Sequence, residues 1–539
     1  MRVMRRAGAC DSSPPACWIA SRASCEQESY LTPADGRLSR FVLTWRGEAD
    51  ILGRMALLNR LADFWPHAVA LLTLLAAGLA SAHAVLHKRD TRAAVVWIGF
   101  IWLLPVLGPV LYLLLGVNRV RRKALQLRGA ASRIQAPTAT DPALQPAGEA
   151  GLRVEAAHLE HLAEAVGRIV RRPLLAGNKV EALVNGDAAY PAMLKAIGEA
   201  RETIGLSTYI FDNDRSGREF VEALRQAVER GVKVRVLIDA AGAHYSVPSI
   251  MSALHQARVP AGCFLPTLAP WRLMSMNLRN HRKILVADGR LGFTGGLNLR
   301  DGNRVAQNPR HPVRDLHFRL EGPVVAQLQE AFANDWAFVT GESLGGAGWF
   351  PPLEAHGEVI ARAIPDGPDA DFEKLRWTIL AALSCARESV TILTPYFVPD
   401  PALVSALNLA ALRGIRVEIL LPERSNLPPV DWASRAMWWQ VLERGCKIRL
   451  SPPPFDHSKL MLVDGQWALV GSGNWDTRSL RLNFEFNLEC YSPELAASLE
   501  QIVQSKLQGA KPVSKEQVDS RSIPLKLRDG VTRLLSPFL

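Results

Sequence analysis

His281-Arg282-Lys283-Ile284-Leu285-Val286-Ala287-Asp288-Gly289 and His457-Ser458-Lys459-Leu460-Met461-Leu462-Val463-Asp464-Gly465 share one pattern, H-x-K-x4-D-G. Seven residues beyond each Asp lie Gly295 and Gly471, and three further lie Asn298 and Asn474, at a constant offset of 176 residues. Six of these eighteen positions are identical, where unrelated segments share roughly one. The identities include His, Lys, Asp and Asn, so the repeat reads as shared chemistry more than shared packing. In a strand, residues i and i+2 face one side, so each His projects with its Lys. The apolar run after Lys buries the strand, and Asp-Gly signals a hairpin turn. Small residues at Gly295-Gly296 and Gly471-Ser472-Gly473 are expected to let a phosphate approach the backbone.

Outward from the boxes, strand-like and helix-like segments alternate. Leu206 to Phe211 is β-prone, Gly217 to Arg230 carries an apolar helical stripe, and Val232 to Ile238 alternates as a strand does. The order recurs at Val390 to Phe397, Pro401 to Arg413 and Ile415 to Leu421. Strand, helix, strand in two copies predicts an α/β class with two α/β/α halves, here 153–350 and 351–515, followed by a basic tail at 516–539.

With 539 residues there is room for two or three domains. Hydrophobic residues at 48% and charged residues at 21% exclude a disordered or fibrous chain. A net charge of +11 suits anionic partners without choosing among nucleic acid, phosphate esters and a membrane surface. None of the seven cysteines forms a C-x-x-C pair, which excludes a zinc ribbon. Their scatter suits a reducing compartment.

Two segments leave the soluble class. Residues 68–86 and 93–117 contain no Asp, Glu, Lys or Arg, and a helix needs roughly 20 such residues to cross a bilayer. Buried core helices are the alternative, but two such lengths side by side favour a transmembrane hairpin within 55–123. Pro105 and Gly108-Pro109 are expected to kink its second helix. The joining loop offers Lys88, Arg89 and Arg92, and the flanks offer Arg54, Arg60, Arg119, Arg121, Arg122 and Lys123. That excess places both flanks in the cytoplasm. Residues 1–54 show no periodicity and no signal-peptide core, so Met55 reads as a natural start and the leader as a misassigned one. The stretch 124–152 reads as a linker.

The paired boxes resemble the phospholipase D superfamily, and the chain from about Met55 is similar to its bacterial cardiolipin synthases. Supporting motifs are Pro105-x-x-Gly108-x-x-x-Tyr112, Arg314-Asp315, Glu321-Gly322-Pro323, Asp335-Trp336, Asn474-x-Asp476-x-Arg478-Ser479 and Leu482-Asn483-x-Glu485. Gly296 stands where Ser is also common, and Val313 where an aromatic often precedes Arg-Asp. The resemblance implies a duplicated phospholipase D-like fold after the hairpin and a catalytic set of His281, Lys283, Asp288, His457, Lys459 and Asp464. One His attacks phosphorus, expected to be His281, and the other, His457, protonates the leaving alcohol. Lys283 and Lys459 hold the phosphate oxygens, Asn298 and Asn474 add amide donors, and Asp288 and Asp464 orient the turn. The resemblance sets Glu485 against the ring of His457, and Asp315 is the expected partner of His281. His244, His311 and His317 have no repeat counterpart and are expected to be ordinary hydrogen-bonded histidines.

No metal-ligand spacing is evident, and the phosphohistidine route needs no cofactor. The implied reaction joins two phosphatidylglycerols into cardiolipin and glycerol at the bacterial inner membrane, with the multi-pass chain's catalytic region facing the cytoplasm. Partners are then phosphatidylglycerol and cardiolipin, with no nucleic acid and no obligatory protein. A phospholipase D that releases phosphatidic acid is the alternative. A nuclease is disfavoured by the hairpin, and a dead scaffold by the complete His, Lys and Asn sets. Lys526, Arg528 and Arg533 suit anionic headgroups or a solvated face equally.

Overall fold

The computed structural model describes residues 38–88, 91–116, 158–265 and 278–536. The linker 124–152, the cluster 119–123 and Arg89 lie outside the described residues. Two compact units result, 1–117 and 118–539.

In the first unit a helix runs over Leu38–His87, well ahead of Met55. Its portion Ala62–His87 has a mean hydropathy of 2.0 and is long and apolar enough to cross a membrane. The second apolar segment is not one helix. Helices Thr91–Leu103 and Leu107–Leu111 are separated at Pro105, and a π-helical turn, Tyr112–Gly116, follows. The proline lacks an N–H and its ring clashes with the preceding turn, which ends the helix where a kink was expected. The segment still packs on the long helix. The Tyr112 hydroxyl lies 2.8 Å from His83 Nδ1, and Trp102 Nε1 donates to Ser81 Oγ at 3.1 Å.

The second unit is a mixed α/β fold. Its strands are β1 (Leu175–Val184), β2 (Thr203–Thr208), β3 (Lys233–Asp239), β4 (Ala261–Phe264), β5 (Arg279–Asn280), β6 (Ile284–Ala287), β7 (Leu291–Gly295), β8 (Val313–Arg314) and β9 (Leu316–Glu321). There follow β10 (Val359–Asp366), β11 (Ser389–Leu393), β12 (Phe397–Val398), β13 (Arg416–Pro422), β14 (Lys447–Ser451), β15 (Phe455–Asp456), β16 (Leu460–Val463), β17 (Trp467–Gly471), β18 (Trp475–Asp476), β19 (Asn483–Tyr491) and β20 (Lys511–Val513). The main sheet runs β14-β13-β11-β16-β17-β19-β10 and continues as β1-β9-β7-β6-β2-β3-β4. Read outward from the β10–β1 junction, the same strand order occurs twice. In each copy the second strand in the chain, β2 or β11, is parallel to the next, β3 or β13, and antiparallel to the box strand, β6 or β16. The central strands are buried on both faces, as an apolar run demands.

Each box strand ends in a tight turn. Asp288 and Gly289 have φ of 51° and 63°, and Asp464 and Gly465 have 53° and 61°. Two successive left-handed residues make the turn whose twist matches a hairpin. Within 516–539, expected as a basic tail, the described residues end at 536 and include most of helix Lys515–Asp519 and all of helix Ile523–Leu534.

One buried ion pair holds the sheet to its flanking helix. Arg362 on β10 donates to Glu489 on β19 at 2.5 Å, and to the carbonyl of Ala163 at 2.8 Å. Glu489 also accepts from Trp467 Nε1 and the Tyr491 hydroxyl. Removing one partner of such a pair leaves an uncompensated buried charge, which costs about 3–5 kcal/mol. Arg362→Met is therefore expected to lower the thermal midpoint of the detergent-solubilised protein substantially. An unchanged midpoint would show that the pair carries no stability.

Candidate active site

The two boxes meet because each is delivered across the junction of the copies. The two-residue strand β5, just ahead of His281, pairs in parallel with the start of β19, with Asn280 opposite Phe484. The strand β15, just ahead of His457, pairs with β8, with Asp456 opposite Arg314. The His281 N–H donates to the Phe484 carbonyl at 2.9 Å, and that of His457 to the Arg314 carbonyl at 2.7 Å. Each histidine is thus laid beside the strand of the other copy. The ring centroids lie 6.4 Å apart, nearly perpendicular at 82°.

This crossing corrects the expected partners. His281 Nδ1 lies 2.9 Å from Glu485, and His457 Nδ1 lies 2.7 Å from Asp315. Glu485 does not face His457, and Asp315 does not face His281. Proximity in sequence suggested the opposite pairing, and the short cross-copy strands overrule it.

The carboxylates are served unequally. Glu485 also accepts from Ser472 Oγ at 2.5 Å, Ser479 Oγ at 2.9 Å and Asn483 Nδ2 at 3.0 Å. Asp315 accepts from the Leu316 N–H at 2.8 Å besides its histidine. Gly296 stands at the place of Ser472, and a Cβ there would lie 2.2 Å from Asp315 Oδ1. The departure to Gly is therefore a steric requirement of this carboxylate's position. Gly295 and Gly471 have φ of 149° and 150° and press against the backbones of His317 and Asn487. Their smallness serves strand contact, where a phosphate approach was expected.

Both histidines are buried, and burial pushes their pKa values down, that of His457 to about 4. Each imidazole is then neutral at pH 7. With Nδ1–H held by a carboxylate, Nε2 carries the lone pair. The carboxylates stay ionised: the lysine charges and the hydrogen bonds from the histidines lower both, Glu485 to about 2, against the cost of burial. Lys283 and Lys459 are buried too. Their ammonium groups donate to the carbonyls of His281 and His457, and burial lowers their pKa values to about 7 and about 8.

Asp288 and Asp464 are not with the histidines. Five residues of extended chain carry each roughly 16 Å beyond its lysine. There Asp288 accepts the N–H groups of Arg201, Glu202 and Thr203. Asp464 accepts those of Arg387, Glu388 and Ser389, and faces His158 Nε2 at 2.8 Å. They are anchors of the turn, and neither belongs in the catalytic set. Asn298 and Asn474 lie beyond the hairpin turns. Asn298 Oδ1 accepts from the Ile210 N–H at 3.1 Å, and Asn474 Nδ2 donates to Ser479 Oγ at 3.2 Å.

Sequence reasoning missed three neighbours and misjudged a fourth. The Tyr209 ring lies 5.2 Å from His281, and Tyr396 lies 6.1 Å from His457. Their signal was the matched pair Thr208-Tyr209 and Thr394-Pro395-Tyr396, in which each threonine hydroxyl donates two residues ahead. Arg282 pairs with Asp335 at 2.9 Å and donates to the Glu485 carbonyl at 3.0 Å, which locks the box to β19. His317 is buried with neither ring nitrogen hydrogen-bonded, contrary to expectation, and its pKa is driven down by burial to about 4.

The family profile described as "Cardiolipin synthase, PLD-like domain" matches residues 193–336 and 379–507, and one described as "Phospholipase_D-nuclease N-terminal" matches 75–116. The cardiolipin synthase A of Pseudomonas fluorescens strain Pf-5 is 33% identical over 466 residues, covering 86% of this chain and 96% of that protein. The cardiolipin synthase of Geobacillus sp. strain WCH70 is 32% identical over 461 residues, covering 84% and 90%. A phosphatidylserine synthase structure from Haemophilus influenzae superposes with a TM-score of 0.56 at 16% identity, over 70% of this chain and all of that one, a likeness of fold alone.

A site with two lysines this low in pKa loses its anion-binding charge as the pH rises. Each ammonium is complete below its own value and lost above it. Catalytic efficiency toward an anionic phosphodiester is therefore expected to fall roughly tenfold per pH unit above about 7, as Lys283 loses its proton, and more steeply above about 8, as Lys459 follows. A profile of kcat/KM flat to the ordinary lysine range would contradict this.

Proposed function

The chain belongs to the cardiolipin synthase family of the phospholipase D superfamily, and from that premise we propose that it makes cardiolipin from two phosphatidylglycerols. The observation that carries this reading is the pair of facing, neutral imidazoles, each held at Nδ1 by a carboxylate and flanked by a buried lysine.

Nε2 of His281 attacks phosphorus of the first lipid while His457, protonated once the anionic substrate is bound, gives its proton to the departing glycerol oxygen. The P–O bond breaks, glycerol leaves, and the phosphatidyl group rests on His281. Neutral His457 then takes the proton of the second lipid's headgroup hydroxyl, whose oxygen attacks phosphorus. The P–N bond breaks, and cardiolipin and the starting imidazole result. One phosphodiester replaces another, so the sequence balances without a nucleotide. Lys283 and Lys459 neutralise the non-bridging oxygens as point charges. Asn298 adds an amide donor. So does Asn474, whose amide nitrogen keeps a second hydrogen beyond its bond to Ser479.

The twice-occurring strand order supports reading 153–350 and 351–515 as the halves of a duplicated phospholipase D-like fold. The helix Ala62–His87 and the apolar segment after it support a membrane hairpin. The excess of Lys and Arg on its flanks supports reading the catalytic region as facing the cytoplasm at the inner membrane.

Labelled phosphatidylglycerol supplied to membranes holding the protein is expected to yield cardiolipin and glycerol. Phosphatidic acid as the main product would favour a hydrolase. His457→Ala is expected to lose on the order of 10²–10⁴-fold in rate and to accumulate a phosphatidyl adduct with an activated ester, which His281→Ala never forms. An adduct on His457 in intact enzyme would reverse the assignment. Protease added outside sealed, right-side-out cells is expected to spare the catalytic unit, and its cleavage there would refute the orientation.

A further inference from the structure

The C-terminal helix Ile523–Leu534 is packed inside out. Ile523, Leu527, Val531 and Leu534 are 71%, 63%, 61% and 73% exposed, whereas Asp529 is fully buried and Thr532 nearly so. At about 100° per residue the four apolar positions fall within an arc of roughly 80°. Asp529 and Thr532 lie opposite. Arg528 borders the stripe on one side, Lys526 and Arg533 on the other. A helix of a soluble domain turns its apolar stripe inward. This one is held reversed by the buried carboxylate: Arg521 donates to Asp529 at 2.6 Å and Arg528 at 2.9 Å.

The helix rests on a second helix, Pro428–Arg435, where the Arg528 guanidinium lies 4.4 Å from the Trp432 ring centre. That second helix lies near the His457 side of the site. It packs against β12, and Asn426 just ahead of it accepts the hydroxyl of Tyr396, whose ring neighbours His457. The apolar stripe is therefore linked to the site through a short chain of contacts, from Arg528 and Trp432 to Asn426, Tyr396 and His457.

We propose that this stripe is a membrane-interface face that seats the catalytic unit on an anionic lipid surface. Charge decides the occupant. Residues 521–536 carry Arg521, Lys526, Arg528 and Arg533 against Asp529 alone. An apolar strip bordered by cations on both shoulders is the pattern of a helix lying in the headgroup plane of an anionic bilayer. Size argues against a second copy of the chain. A helix about 18 Å long and 10 Å wide offers roughly 200 Å², well short of the roughly 800 Å² per partner of a stable interface. The proposal does not depend on which lipid is the acceptor.

The test uses the full chain reconstituted in phosphatidylglycerol-containing vesicles, with a benzophenone amino acid in place of Leu534. Irradiation is expected to give a lipid adduct at that position. Adding Leu527→Asp and Val531→Asp is expected to abolish the adduct and to lower activity on the vesicles by about tenfold or more, the factor that 1.4 kcal/mol of lost seating gives. These side chains are exposed, and circular dichroism in detergent checks that the fold is kept. A protein–protein adduct would assign the stripe to a second copy and overturn the proposal. So would the absence of any adduct, or a lipid adduct that persists in the doubly substituted chain. The cross-link reads seating whatever product the enzyme makes, so its failure is separable from failure of the synthase reading.

Discussion

Everything at the site depends on the exchange of carboxylates between the copies. A neutral imidazole is a useful nucleophile or base only if its other nitrogen is held, and here the holder comes from the opposite copy. Neither copy alone supplies both a histidine and the carboxylate that holds it. The exchange is enforced by backbone, since the short strands β5 and β15 pair across the junction immediately before each histidine. Arg282, anchored on Asp335 and the Glu485 carbonyl, adds a side-chain lock on the His281 side, and Lys506 holds Asp456 and Ser458 on the His457 side.

Burial does the rest of the electrostatic work. Taking two imidazoles and two ammonium groups out of water lowers all four pKa values. The four groups by themselves therefore favour their uncharged forms, and an anion placed beside them would favour the charged ones. In the mechanism proposed above, binding of the anionic substrate and protonation of His457 are thereby coupled. The copies are not interchangeable in this respect. Glu485 shares its charge among two hydroxyls, an amide and a ring, whereas Asp315 keeps a single backbone N–H besides its histidine.

The boxes were legible in the sequence because chemistry demands the same polar groups twice, at an offset that packing alone would not preserve. The Asp-Gly turns were legible because two left-handed residues admit few alternatives. The partners of the histidines were not. Two-residue strands leave no periodicity, so nothing in the chain announces that Asn280 lies opposite Phe484. Tyr209 and Tyr396 hid within apolar stretches that read as core strands. The break at Pro105 was visible as a proline, but its severity depends on what surrounds the freed carbonyls. Hydrophobic periodicity shows that a helix has two faces and not which one turns outward. The reversal at Asp529 therefore needed the packing itself.

The crossed pairing is tested most directly by trapping the covalent enzyme in two conservative variants, Glu485→Gln and Asp315→Asn, with an activated phosphatidyl ester analysed by mass spectrometry after quenching. Glu485 holds the attacking ring, so Glu485→Gln is predicted to form little adduct. Asp315 holds the ring that deprotonates the acceptor, so Asp315→Asn is predicted to form the adduct on His281 and retain it. The opposite pattern, with adduct lost in Asp315→Asn and accumulating in Glu485→Gln, would contradict the exchange of carboxylates on which this account stands.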